Sequence, residues 1–84
     1  MTYPLFTRVA LRENFSEYNL RRGDIATVVE QHEGGKSLET GYSLEVFNAI
    51  GETIAVLVAG ESQIEPLREN EIFHVRRLDE ALAA

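Results

Sequence analysis

Leu20-Arg21-Arg22-Gly23-Asp24-Ile25-Ala26-Thr27-Val28-Val29-Glu30 couples a tight turn directly to a run of β-branched residues. Gly23 supplies the backbone freedom such a turn needs, and Ile25, Thr27, Val28 and Val29 suit a pleated, half-buried surface. Asp24 is placed to accept hydrogen bonds from the turn amides. The strand it opens runs to about His32. Ahead of it lies another strand-like run, Phe6 to Leu11, in which Val9 and Leu11 alternate with Arg8, Ala10 and Arg12. Two such runs, the second entered through a tight turn, point to a small β-barrel.

Working outward, the connection Glu13 to Leu20 is polar but carries Phe15, Tyr18 and Leu20. Three large apolar side chains in one loop imply that it packs down over one end of the barrel. Gly34-Gly35-Lys36-Ser37 is the plainest turn. A third strand, Tyr42 to Asn48, alternates Tyr42, Leu44 and Val46 against Ser43 and Glu45. The hairpin Asn48 to Glu52 leads into a fourth, Thr53 to Val58. That strand is apolar on both faces, so its outward side requires a cover, from the chain itself or from a second subunit. Gly60 to Gln63 reads as a short helical turn and Ile64 to Leu67 as a brief fifth strand, placed at an edge because Pro66 has no amide hydrogen. Ile72, Phe73 and Val75 read either as a sixth strand or as a helical turn capped at Asn70, and Asp79 to Ala84 favours helix by composition. The whole resembles an all-β, SH3-like barrel of five or six antiparallel strands, with the barrel at about residues 5–67 and an extension at 68–84.

The length of 84 residues corresponds to one domain, and a domain this small buries only roughly 60–65% of its unfolded surface. It contains no cysteine, which excludes disulfides and thiolate metal sites and fits a reducing cytosol. No apolar run approaches the roughly 20 residues of a membrane span. The start Met1-Thr2-Tyr3-Pro4-Leu5-Phe6 does not read as a secretory leader, so a cytoplasmic location is expected. The net charge of −6 concentrates in residues 29–67, where Lys36 stands against Glu30, Glu33, Glu39, Glu45, Glu52, Glu61 and Glu65. Such a surface repels phosphates, so no nucleic acid is expected. It suits either plain solvation of the barrel exterior or recognition of a basic protein.

Chemistry-bearing residues do not fall into catalytic spacing. His32 and His74 lie far apart with no short ligand pattern, and neither a metal nor a cofactor is expected. Ser16, Ser37, Ser43 and Ser62 have no nucleophile-elbow context. The Gly34 to Ser37 turn lacks the upstream glycine of a phosphate-binding loop and precedes no helix. What remains is recognition: Phe15, Tyr18 and Phe47, with Arg21 and Arg22, form the candidate binding set. Tyr42 belongs to the core by its alternation with Leu44 and Val46.

Phe6 to Leu11, Tyr18 to Val29, Tyr42 to Phe47 and Glu69 to Arg76 together resemble, in order, the bacterial domain of unknown function (DUF) 4926 family. The resemblance spans about Leu5 to Leu78 and implies a compact SH3-like fold. It supplies no catalytic residue. It also implies a protein partner encoded nearby, in a toxin–antitoxin-like arrangement. The turn Gly23 to Val28 is similar to the KOW-type motif of ribosomal and transcription proteins, but glutamates replace the basic residues that would meet RNA. The expected function is therefore a non-catalytic protein-interaction module, homo-oligomeric or hetero-partnered. The alternatives are an antitoxin-like regulatory partner and an RNA binder using Arg8, Arg12, Arg21 and Arg22.

Overall fold

The computed structural model describes residues 2–34 and 38–79. Most of the Gly34 to Ser37 turn, and Asp79 to Ala84 beyond its first residue, lie outside the described residues. Five strands form one antiparallel sheet: β1 (Arg8–Leu11), β2 (Ile25–His32), β3 (Gly41–Phe47), β4 (Thr53–Gly60) and β5 (Ile64–Pro66). Their order is β4-β3-β2-β1-β5, the arrangement expected of an SH3-like barrel. A 3₁₀ turn at Ser16–Tyr18 interrupts the β1–β2 connection, and another at Glu61–Gln63 joins β4 to β5.

The strands follow from alternation. In β3, Tyr42, Leu44 and Val46 are buried between half-exposed Ser43 and Glu45. Their β4 partners Ala59, Leu57 and Ala55 turn inward opposite them, and Val28 lies opposite Leu44 on β2. Register shifts after Val28 and after Val46 let the long strands curl. Val9, Leu11, Leu20 and Ile64 complete the interior. The hairpin between β3 and β4 is fixed by Asn48, whose Oδ1 accepts from the amides of Ile50 (3.1 Å) and Glu52 (2.9 Å), with Gly51 at φ 88°.

The structure shifts the ends of β2, β3 and β5 by one residue from those expected, to Ile25–His32, Gly41–Phe47 and Ile64–Pro66, and corrects three further expectations. β1 begins at Arg8 rather than Phe6. Phe6 adopts φ 66° and is 75% exposed, its amide donating to the Val28 carbonyl as the chain turns after Pro4. β4 continues two residues further, to Gly60, because Tyr42 and Gly41 still have partners there. Ile72 to Val75 forms neither a sixth strand nor a helical turn. Pro66, by contrast, sits on an edge strand as its chemistry requires.

One end of the barrel is closed by the segment ahead of β1. The Tyr3 ring meets the fully buried Tyr42 ring edge-on, centroids 5.5 Å apart at 79°. The Tyr3 amide donates to the Tyr42 hydroxyl at 3.0 Å, and that hydroxyl donates onward to Glu61 at 3.4 Å. Tyr42→Phe strands the Tyr3 amide in an apolar setting. A loss of about 1–3 kcal/mol is expected in urea denaturation, against about 0.5 or less for exposed Tyr18→Phe. Burial, helped by Glu61, Tyr42 and Glu65 and opposed by Arg12, raises the Tyr3 hydroxyl above its ordinary 10.0. The folded chain therefore keeps a proton that the unfolded chain gives up near pH 10. This contribution to stability is intact below that pH and declines above it, a trend that Tyr3→Phe removes in alkaline unfolding curves.

Candidate interaction surface

The turn at Arg21 to Asp24 is built as its sequence suggests. Gly23 adopts φ 93°, and Asp24 Oδ2 accepts from the Arg21 amide at 2.7 Å. The same carboxylate has a second task. Arg76 Nε donates to its Oδ1 at 3.0 Å, and Arg76 Nη2 donates to Oδ2 and, at 3.1 Å, to the Asn19 carbonyl. Asn19 in turn donates to the Leu78 carbonyl. The Arg76 and Asp24 side chains are only 16% and 19% exposed, a setting where a fork-shaped pair holds geometry well.

This clasp lays the segment after β5 against the outward side of β1 and the start of β2. Phe73 lies under the Arg8 guanidinium, 5.2 Å from ring centre to cation. Ala10, which points out of the barrel between Val9 and Leu11, is buried nonetheless. Ala10 and Ile25 line a groove shared with Phe73 and Arg76. One outer face of the sheet is thus partly shielded from within the chain, although Ile72, Phe73 and Val75 of that segment stay 93%, 60% and 86% exposed.

The other is not. β4 presents Ile54, Val56 and Val58 outward, 38%, 59% and 65% exposed. Across the sheet, Val58 stands beside Ser43 and Glu30, and Val56 beside Glu45 and Thr27. Val58 also meets the β1–β2 connection, where Glu13, Phe15, Glu17, Tyr18 and Gln63 share a groove of about 410 Å³ with it. Phe15 packs partly on the core and Tyr18 is 38% exposed.

The residues singled out from sequence therefore divide among three places. Phe15 and Tyr18 share the groove at Val58. Arg21 and Arg22 line the groove beneath the clasped segment instead, so Tyr18 and the two arginines do not form one face. Phe47 stands at the end of β3 opposite Thr53, 43% exposed, and lines neither groove. Val56 and Val58 were absent from the candidate set, although apolar residues on both faces of their strand were the signal for them.

The histidines also separate. His32 Nε2 lies 2.8 Å from Ser43 Oγ and 3.7 Å from Glu30, a cross-strand surface group. A catalytic relay requires the serine and the acid on opposite ring nitrogens, and here both face the same one. His74 is exposed on the clasped segment. Among the described residues, no three histidine, aspartate or glutamate side chains gather as a metal site, and no helix is long and apolar enough to cross a membrane.

A family model described as Domain of unknown function (DUF4926) matches residues 5–66, most of the chain, and the chain belongs to that family. The match covers β1 through β5 and stops short of the block Glu69 to Arg76. No curated protein and no solved structure matches significantly.

Two substitutions separate the tasks of Asp24. Asp24→Ala removes both the turn acceptor and the clasp, and an expected loss of about 1–3 kcal/mol should appear in thermal or urea unfolding. Arg76→Ala leaves the turn intact. Its effect should be faster proteolysis and amide exchange confined to residues 68–79, with the barrel unchanged.

Proposed function

We propose that this DUF4926 domain is a cytoplasmic protein-interaction module that works by binding and performs no chemistry of its own. The observation that carries this reading is the outward face of β4. A small domain that lays its own chain along its β1–β2 face, yet leaves three β-branched side chains in a row on β4 with no described segment along them, has a surface suited to a partner. The groove at Val58 extends that surface to Phe15 and Tyr18, which supply aromatic contacts of the kind that anchor interfaces.

The antitoxin-like alternative is a special case of the same reading, favoured by the run of glutamates between residues 29 and 67. It adds that the partner is basic and encoded next to this chain. RNA binding is less well supported. Arg8 is stacked on Phe73, and Arg12 stands 3.6 Å from Glu65, so two of its four cations already have acidic or aromatic company.

Capture from native lysate at low salt, with wild-type and Val58→Lys baits compared by mass spectrometry, tests the proposal. Val58 is exposed, so the variant should retain the wild-type unfolding midpoint. A discrete protein retained by the wild type and lost from the variant is expected. Identical captures from both baits, or none, would refute it.

A further inference from the structure

We propose that the outer edge of β4 receives an extended basic segment of another protein as an added antiparallel or parallel strand. This rests on the interaction reading above and specifies how the partner is held and what chemistry it carries.

The two edges of the sheet are unlike each other. β5 has three residues and ends in Pro66, which offers little to pair with. β4 has eight residues, Thr53-Ile54-Ala55-Val56-Leu57-Val58-Ala59-Gly60, with neither a charge nor a proline among them. Among the strands it is hydrogen-bonded to β3 alone. Sheet edges left open in solution usually carry a lysine, a proline, an inward charge or a bulge to prevent pairing; β4 has a bulge at Ile54 and its Gly60 amide donates to Gln63 Oε1 at 2.8 Å, while Ala55 to Ala59 carry no such device. Strand addition draws affinity from the main chain and specificity from alternate side chains, and Ile54, Val56 and Val58 supply that alternate row.

Charge selects the occupant. Glu45 flanks Val56 on the neighbouring strand, Glu30 lies one strand further in the row of Val58, Glu52 precedes β4, and Glu13 and Glu17 border the groove at Val58. Glu13, Glu45 and Glu52 each accept a hydrogen bond from a neutral donor, from Gln63, Thr53 and Asn48 respectively. No arginine lines that groove. A second copy of the chain would bring these same carboxylates to both sides of the junction. A segment alternating β-branched residues with lysine or arginine places its apolar row against Val56 and Val58 and its cations against the glutamates.

The test uses the full chain and a phage-displayed library of random peptides about twelve residues long, enough to cover an eight-residue edge. Enriched peptides should alternate valine, isoleucine or threonine with lysine or arginine. Their binding should slow amide exchange within residues 53–60 and weaken about tenfold or more between about 50 and about 300 mM salt. Val56→Lys, at an exposed position, should abolish binding without moving the unfolding midpoint, and Glu45→Gln should weaken it about two- to fivefold. Enrichment of acidic peptides, protection outside residues 53–60, or indifference to Val56→Lys would overturn the proposal. So would an empty selection, including one accompanied by a dimer that Val56→Lys splits, which would assign the edge to a second copy. A lysate partner lost on Val58→Lys but giving no protection at 53–60 would retain the interaction reading and remove strand addition.

Discussion

The Asp24 carboxylate is the constraint on which the arrangement of this molecule turns. By accepting the Arg21 amide it closes the turn that feeds β2, and by accepting the Arg76 guanidinium it decides where the chain goes after the barrel is finished. Both side chains are mostly shielded from water while the segment after β5 lies in place, and each supplies the other's counter-charge there. Docking of that segment and pairing of the two charges therefore go together. That pairing sets which outer face the segment after β5 lies along.

The bare face and the covered face are physically comparable, which makes their different fates informative. Each is the outward side of a pair of strands, and each carries apolar residues: Ala10 and Ile25 on one, Val56 and Val58 on the other. On the first, Phe73 lies alongside, half-exposed, with the Arg8 cation above its ring. On the second, the neighbours are glutamates and a serine. A basic cover fits there electrostatically, and this chain's own arginines lie mainly on β1, at the turn and after β5.

Much of the barrel could be read directly from residue order, because strands declare themselves through a period of two. β3 is the clearest case, where Tyr42, Leu44 and Val46 are all buried as alternation requires. Pro66 announced an edge strand through its missing donor. Phe6 misled because a left-handed turn there depends on the spacing back to Pro4 and on a bond to Val28, neither of which has a periodic signature. The segment after β5 was illegible for a related reason. It is held by one fork-shaped side-chain contact and a stacked ring, and such contacts leave no mark on hydropathy. The split of Tyr18 from Arg21 and Arg22 is likewise a matter of which way a loop turns: Asn19, between them, adopts φ 59° and reverses the chain. Val56 and Val58 were visible as unexplained hydrophobicity, and only the strand order showed that they also border an open edge.

Tyr3 and Arg76 have one property in common that the sheet lacks. Each helps fasten an outlying piece of chain to the barrel through a few scattered contacts, not through a ladder of backbone bonds. Detaching either piece breaks a few contacts and unzips no strand, so each can lift away at a free-energy cost well below that of global unfolding. The molecule is thus a stiff girdle with two hinged flaps, and its slowest-exchanging amides should mark the girdle alone.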